Sequence, residues 1–281
     1  MRVVLAGAFG KLGTDILIEL CNQGHEVVAA DLVTKELEGF TYEAKKIDVT
    51  KPETLEGLCD GAEVIISTVG LTGTSATITN YDIDLNGNVN LLNEAKKAGV
   101  KTFVYISVIK ADTAPGVPML HAKYLFEEEL KKSGLNYVIH RPTGYFYDIA
   151  KVFMPMIEKG EVTLLGKNAA YANVLDTPDF ASFIVEHMND GKAMFNVGGK
   201  ETYSYEELAN LFFAAAGKEP VIKRAPEFLF DVLAFVNKLK KNGKEAILKF
   251  SKWTLTNDLV GDSICGDASF KEYIEGRYKN N

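Results

Sequence analysis

Short apolar runs alternate with helical segments along the first half of the chain. The helical segments lie between these runs, and each of them ends at a glycine or begins at a proline. Near-continuous apolar strands that alternate with helices are typical of a parallel sheet covered on both faces. We therefore expect an α/β fold with a doubly wound parallel sheet. The expected strands are RVVLAG (2–7), EVVAADL (26–32), EAKKIDV (43–49), AEVIISTVG (62–70), KTFVYISV (101–108) and LNYVIHRP (135–142).

The sequence GAFGKLG, residues 7–13, stands between the first strand and the first helix. In a Rossmann-type unit the first glycine allows the turn, the second admits the pyrophosphate to the backbone, and the third lets helix and strand pack closely. The amide groups of the first helical turn then face the phosphates. The alternative is a tight turn without a ligand. The residues predicted to hold a dinucleotide here are Gly7, Phe9, Gly10, Lys11, Leu12 and Gly13.

Asp31 ends the second expected strand, 18 residues after Gly13. An acidic residue at this distance binds the ribose hydroxyls of the adenosine half of a dinucleotide. A carboxylate at this position disfavours the 2′-phosphate of NADP, because two like charges would meet. Lys11 and Lys35 are the nearby cations that oppose this argument. We therefore expect NAD to be the cofactor, with NADP the less favoured alternative.

Three segments carry a resemblance to a known family: the glycine loop, VYISVIKAD (104–112) and HAKYLFEEELKKSGLNYVIHRPTGYFYD (121–148). Over residues 1–225 the chain resembles the atypical short-chain dehydrogenase/reductases. Within them it is similar to the NmrA-like and NAD(P)H-binding groups, which include isoflavone-type and divinyl chlorophyllide-type reductases. The resemblance implies a cofactor-side catalytic role for Lys123 and a place in the substrate pocket for Ser107. His121, on the same expected helix as Lys123, is a third catalytic candidate, and the alternative is a core or rim histidine. The further cofactor-binding residues expected are Asp48, Val49, Thr68, Val69, Gly70, Lys123, Pro142, Thr143 and Gly144.

Met119 stands four residues before Lys123, where the common short-chain reductases have the tyrosine of Tyr-x-x-x-Lys. That tyrosine donates the proton that accompanies hydride transfer. Its absence leaves two hypotheses open. The first is an NAD(P)-dependent oxidoreductase acting on an apolar or conjugated small molecule. The alternative is a non-catalytic NAD(P)-binding sensor or assembly protein of the NmrA-like type.

The composition excludes several other classes of protein. The chain has 281 residues and a formal net charge of −7, which opposes binding to nucleic acid. It has no apolar run of transmembrane length and no expected signal segment. Its three cysteines are too far apart to suggest a metal site, and we expect none. Reduced thiols predict a cytoplasmic protein.

The sequence also predicts several local features. A helix is expected over 52–61, with Pro52 near its first turn, and Glu127, Glu128 and Glu129 are expected to be solvated. A short strand and a helix are expected over 173–188, a last strand of the sheet over 193–199, and a helix over 202–217 that begins with a capping box of Ser204 and Glu207.

The rhythm of strands and helices loosens after Pro142. We expect a dinucleotide-binding domain over residues 1–198, with 146–172 as an excursion towards the substrate, and a smaller substrate or lid region over 199–281. The segment 228–252 is an apolar helix that runs into several lysines. The preferred interpretation is a lid over a small-molecule substrate; the alternative is a site for a membrane surface or a protein partner. The sequence leaves the oligomeric state open.

Overall fold

The computed structural model describes residues 1–71, 73–166 and 170–279. The chain forms two compact units. The first comprises Met1–Gly73, Thr77–Arg141 and Phe180–Phe195. The second comprises Thr74–Ala76, Pro142–Asp179 and Asn196–Asn281. Residues 167–169 of the expected excursion lie outside the described residues, and the predicted boundary at residue 198 stays a prediction.

A large sheet confirms the predicted α/β class. Among the described residues its eight strands are ordered β12-β9-β6-β5-β4-β1-β2-β3, and the pairs β3–β2, β2–β1, β1–β4, β4–β5 and β5–β6 are all parallel. The strands are β1 Arg2–Ala6, β2 Glu26–Asp31, β3 Glu43–Lys46, β4 Val64–Ser67, β5 Thr102–Ile106, β6 Asn136–Pro142, β7 Val162–Leu165, β8 Tyr171–Ala172, β9 Ala193–Gly198, β10 Tyr203–Ser204, β11 Ile222–Ala225 and β12 Ser263–Ile264.

Helices join β1 to β2, β4 to β5 and β5 to β6, as crossovers between parallel neighbours usually do, whereas residues 32–42 join β2 to β3 without a helix. One of them begins as a π-helix, over Tyr81–Gly87, before it continues as α2. Short 3-10 turns lie at Pro52–Leu55 and Ala111–Thr113. The α-helices are α1 Lys11–Asn22, α2 Asn88–Ala98, α3 Pro118–Lys132, α4 Phe146–Glu158, α5 Thr177–His187, α6 Tyr205–Ala215, α7 Phe228–Leu239, α8 Lys244–Thr256 and α9 Phe270–Lys279.

Several local predictions differ from the structure. The helix expected over 52–61 is only a 3-10 turn, because Gly57 and Gly61 both adopt positive φ (+71°) and interrupt helical geometry. No strand lies in the described residues 173–175, where a short one was expected. β9 is not the last strand of the sheet, since β12 pairs with it in parallel.

The capping box predicted at Ser204 is confirmed, with reciprocal hydrogen bonds to Glu207.

The core of the first unit packs around the central strands. Every residue of β1 from Val3 to Ala6 is inaccessible to solvent, as expected for a strand covered on both faces. Aromatic rings from α3 and β5 fill one side, with the Phe126 ring centroid 4.6 Å from that of Tyr105. This packing holds α3 against the sheet and so positions the side chains that α3 presents at the carboxyl edge.

Candidate dinucleotide site

The carboxyl ends of four neighbouring strands meet at one edge of the first unit. The register pairs Ala6 of β1 with Ala30 of β2 and with Ser67 of β4, and Ser67 in turn with Tyr105 of β5. The residues that directly follow these four strands therefore lie side by side at the same edge of the sheet. Ligands of open α/β sheets bind at this edge. The edge carries the glycine loop, Asp31, Thr68–Gly70 and Ser107.

Two glycines of the loop are required by the protein itself. Gly7 has a φ of +82°, and a Cβ there would lie 2.4 Å from Oγ1 of Thr68. A Cβ at Gly13 would lie 2.0 Å from the carbonyl oxygen of Gly7. Both distances are far inside van der Waals contact. The turn and the close approach of α1 to β1 thus explain these two glycines without a ligand.

Gly10 has no such requirement. Its φ of −71° and ψ of 172° suit any residue, and it is exposed. The nearest atom to a Cβ there would be the Gly7 carbonyl oxygen, at an ordinary 3.5 Å. No side-chain hydrogen bond from the described residues caps the N terminus of α1. The open space beside Gly10, which a Cβ would fill, lies next to the uncapped amides at the N terminus of α1. This arrangement fits a dinucleotide pyrophosphate.

The side chain of Asp31 is joined to the glycine loop. Its Oδ2 accepts a hydrogen bond from the amide of Phe9 at 2.9 Å, and its Oδ1 accepts one from the amide of Leu32. Lys35 donates to the carbonyl oxygen of the same Phe9 at 3.0 Å. The buried Phe9 thus connects a carboxylate and an ammonium group at the expected adenosine-ribose position. Lys11 is exposed and pairs with Asp15 at 3.1 Å.

Asp48 and Val49 follow β3. Oδ1 of Asp48 accepts hydrogen bonds from the amide and hydroxyl of Thr50, and these bonds lower the pKa of the Asp48 carboxyl. Lys51 lies 3.1 Å from its Oδ2. Val49 is buried, and its carbonyl oxygen accepts from Asn90 at 2.9 Å. The Asp48 carboxylate is therefore already hydrogen-bonded in an Asx-type turn.

The residues after β4 approach the glycine loop closely. The Thr68 hydroxyl donates to the carbonyl oxygen of Gly7 at 3.0 Å. A Cβ at Gly70 would lie 2.8 Å from Oδ1 of Asp84 and 3.3 Å from Nζ of Lys123. Gly70 therefore lets the strand end pass directly beside a buried charge pair.

Lys123 occupies a defined position on α3. Its Nζ lies 3.2 Å from Oδ1 of Asp84 and donates to the carbonyl oxygen of Ile106 at 3.2 Å. The same ammonium group lies 5.3 Å from the ring centroid of Tyr105, a cation–π distance. Burial is the main cause that raises the pKa of Tyr105 well above its ordinary value. Lys123 is thus a half-buried, oriented cation rather than a solvated surface lysine.

The π-helix supplies residues that the sequence analysis did not single out. Asp84 is fully buried, and so is Asn88. Asn88 accepts from the Ser67 hydroxyl at 2.6 Å and donates to the carbonyl oxygens of Val69 and Asp84. π-helical turns occur frequently at functional sites. The signal in the sequence was the polar run DIDLNGNVN inside an otherwise ordinary helical segment.

His121 also contacts the π-helix. Its Nδ1 lies 3.0 Å from the hydroxyl of Tyr81, and the two rings meet edge to face. Tyr81 lies outside the predicted set of site residues. A phenol hydrogen-bonded to an imidazole can relay a proton near neutral pH.

Ser107 lies below the surface, with 4% of its area exposed. Its hydroxyl donates to Oε1 of Glu127, which also accepts from Nε of Arg141 at 2.9 Å. Glu127 is fully buried, and Arg141 binds it through two nitrogens. Glu127 is therefore part of a buried ion pair, although its sequence context suggested a solvated side chain. This network holds Ser107 in place at the end of β5.

Pro142, Thr143 and Gly144 belong to the second unit. Thr143 is buried, and its hydroxyl donates to the carbonyl oxygen of Asn173 at 2.8 Å. Its amide donates to the carbonyl oxygen of Val197. The carbonyl oxygen of Gly144, whose φ is +150°, accepts from Leu175 at 2.9 Å. Backbone bonds to neighbouring segments thus fix this turn.

Comparisons with known proteins identify the family of the chain. A model of the family described as NAD(P)H-binding matches residues 7–190. The photosystem II assembly factor Ycf39 of Synechocystis sp. is 27% identical over 260 residues, covering 90% of this chain and 76% of Ycf39.

Two solved structures share the fold. The NADPH-dependent quinone oxidoreductase QOR2 of Escherichia coli, complexed with NADPH, has a TM-score of 0.73 at 17% identity and covers 98% of this chain and 99% of its own. The UDP-glucose 4-epimerase of Thermus thermophilus, complexed with NAD, has a TM-score of 0.65 at 22% identity and covers 80% of this chain and 86% of its own. The chain belongs to the NAD(P)H-binding family, whose model matches about two thirds of it.

Proposed function

We propose that this protein is an NAD-dependent oxidoreductase that acts on an apolar or conjugated small molecule. The observation that supports it best is Gly10, a glycine with ordinary dihedral angles and free space around its missing Cβ. No contact within the described part of the protein explains this glycine, which supports a bound pyrophosphate that approaches the backbone there. Bound nicotinamide would supply the hydride.

The residues that would hold the cofactor lie along one edge of the first unit. The amides after Gly10 would face the pyrophosphate, and the Asp31 carboxylate would accept from the ribose hydroxyls of the adenosine half. Lys123, oriented by Asp84, would hold the ribose of the nicotinamide half. We also propose that Thr68, Val69 and Gly70 line the path of the adenosine.

The Tyr81–His121 pair is the proposed proton source. The pair lies where the π-helix meets α3, and its His121 is two residues before Lys123 on α3. Reduction of a quinone or an enone requires one proton for each hydride, and an imidazole in contact with a phenol would supply it. This pair would take the role of the tyrosine whose position Met119 occupies.

Turnover of NADH with a panel of quinones and enones tests the proposal. We expect oxidation of NADH, followed by its absorbance, with at least one acceptor, and a reduction of kcat of about 100-fold or more in His121→Gln. The matched control is His25→Gln, which changes a histidine before β2, at the opposite end of that strand from Asp31. An equal loss in both variants, or no loss in His121→Gln, would contradict the assigned role.

A second candidate function is a dinucleotide-binding assembly protein without turnover. The observation that favours it is the similarity to Ycf39, a photosystem II assembly factor, over 90% of the chain. Calorimetry separates the two functions. Tight NADH binding, abolished by Gly10→Val, without oxidation by any acceptor in the panel would support the assembly protein and refute the oxidoreductase.

The remaining predictions concern the environment of the protein. No helix of the described residues is long and apolar enough to cross a membrane. The expected cytoplasmic location and the expected absence of nucleic-acid binding stay predictions. A small-molecule substrate is part of the proposal above.

A further inference from the structure

The helix α7 turns a broad apolar face to the solvent. At about 100° per residue, its exposed apolar side chains cover an arc of about 160°. Four of these side chains, at neighbouring positions on one side of the arc, are each more than half exposed: Phe228, Val232, Phe235 and Leu239, with Leu239 the most exposed at 67%. The members of this apolar face are Phe228, Leu229, Val232, Leu233, Phe235, Val236 and Leu239. Such a contiguous face marks an interaction site rather than ordinary surface.

The orientation of α7 is fixed from its other side. Ala234 is the buried residue of this helix, and α7 packs along α8 in the second unit. Nζ of Lys252 on α8 contacts both carboxylate oxygens of Asp231 at 2.7 and 2.9 Å. The apolar face therefore points away from α8 because the opposite face is the one that packs.

A cluster of four lysines lies at the end of the apolar face. Lys238, Lys240, Lys241 and Lys244 are all exposed, and within the described part of the chain no carboxylate lies within 4 Å of their ammonium groups. Lys249 and Lys252, by contrast, pair with Glu245 and Asp231. This basic cluster stands out in a chain whose net charge is −7. Its charge is therefore available to an anionic partner.

We propose that the apolar face and the basic cluster of α7 dock on an anionic lipid surface. An interfacial helix buries an apolar face at the level of the acyl chains while lysines beside it meet the lipid phosphates. Both elements are present here, on α7, the turn after it and the first residue of α8. The lysines, which are exposed and carry long flexible stems, suit a layer of phosphates better than a fixed protein surface.

Sedimentation with vesicles tests this proposal on the full chain. The probes are vesicles of phosphatidylcholine alone and vesicles in which roughly a third of the lipid is phosphatidylglycerol. We expect the protein to pellet with the anionic vesicles and to be released by about 0.5 M NaCl, because salt screens the lysines. Changing the four lysines to glutamine should weaken binding about 100-fold or more, at about fivefold for each charge. The triple variant Phe228→Ser, Phe235→Ser, Leu239→Ser should weaken it at least about tenfold.

Matched variants separate the proposed face from general surface properties. Changing the exposed Val152, Met194 and Ile264 to serine, or the exposed Lys96, Lys97, Lys132 and Lys192 to glutamine, should leave vesicle binding within about twofold of the parent. Circular dichroism confirms that each variant folds. Equal binding to both kinds of vesicle, unchanged binding in the α7 variants, or an oligomer without lipid that the triple variant dissociates would overturn the proposal.

Discussion

Nζ of Lys123 lies 3.2 Å from Oδ1 of Asp84, whose side chain is 1% exposed. A carboxylate at this depth needs a positive partner, and Lys123 provides it. The pair joins α3 to the π-helix within the first unit. Asp84 holds the ammonium group in place before any ligand arrives. The Lys123 side chain would therefore lose little conformational entropy when it contacts the cofactor as proposed.

The first prediction concerns this pair. Asp84→Asn should lower the free energy of unfolding by at least about 2 kcal/mol, because it leaves a half-buried ammonium group without its partner. It should also weaken NADH binding about tenfold. In a Lys123→Met background the same change should add much less to either effect, since the interaction is already lost. The parent, the two single variants and the double variant form a cycle. Urea unfolding of these four proteins measures the coupling in stability, and calorimetry measures the coupling in NADH binding.

The control for the first prediction is Glu245→Gln, which breaks the half-exposed pair with Lys249. Such surface pairs contribute about 0–1 kcal/mol, so neither stability nor NADH binding should change appreciably. Additive effects of Asp84→Asn and Lys123→Met would show that the two residues act independently.

The second prediction concerns the glycine loop. Gly10→Val should abolish NADH binding and leave the melting temperature nearly unchanged, because its side chain enters the proposed pyrophosphate cradle and no protein atom obstructs it. Gly13→Ala should instead destabilise the fold, since its Cβ would lie 2.0 Å from the Gly7 carbonyl oxygen. Gly116→Val, at a glycine with no heavy atom within 4 Å of its Cβ position, is the matched control. Normal NADH binding by Gly10→Val would refute the cradle.

The third prediction is the choice of cofactor. The Asp31 carboxylate would lie beside the 2′-phosphate of NADPH, so NADH should bind at least about tenfold more tightly. Asp31→Ala should narrow this difference. Lys35→Ala should widen it, because Lys35 shares the Phe9 peptide with Asp31 and is the nearby cation. Parallel titrations with the two cofactors measure the ratio, and tighter binding of NADPH by the parent would contradict the assignment.

The fourth prediction is acid sensitivity caused by His140. The ring is fully buried against Phe195 and Phe180, and neither of its nitrogens has a hydrogen-bond partner among the described residues. Burial lowers the pKa of His140 to about 3. Below the ordinary pKa of about 6.5, the unfolded state therefore binds a proton that the folded state excludes.

The free energy of unfolding should fall by about 2 kcal/mol from this group between about pH 8 and pH 5, because each pH unit below about 6.5 costs about 1.4 kcal/mol. His140→Phe should remove that part of the pH dependence. Urea unfolding of both proteins at about pH 8, 6.5 and 5 measures it, and the value at the highest pH, where the ring is neutral in both states, isolates the packing difference. Parallel curves for the two proteins would exclude His140 as the cause.

Most of the fold could be predicted from the sequence. Strands β1, β2, β4, β5 and β6 lie where apolar runs predicted them, because a strand buried on both faces must be largely apolar. β3 lies within the predicted segment EAKKIDV, but it is a mostly exposed edge strand, so burial does not explain it. The helix over 52–61 was wrong, since two glycines at positive φ overrode its favourable start at Pro52. The polar run over 82–90 is visible in the sequence, but it does not distinguish a π-helical turn from an α-helical one, so the turn at Tyr81 could not be predicted.

Some features of the candidate site could likewise be predicted from the sequence, and others could not. The sequence by itself determined the glycine loop and Asp31 at the end of β2, because these depend on local spacing within one βαβ unit. It also determined the family, because the segments that carry the resemblance are contiguous stretches of the chain. Only the tertiary structure decided that Gly10 lacks a structural reason within the described part of the protein, that Asp84 orients Lys123, and that Ser107 donates to Glu127. Contacts between residues far apart along the chain depend on how helices pack on the sheet, and no local pattern of residues encodes that packing.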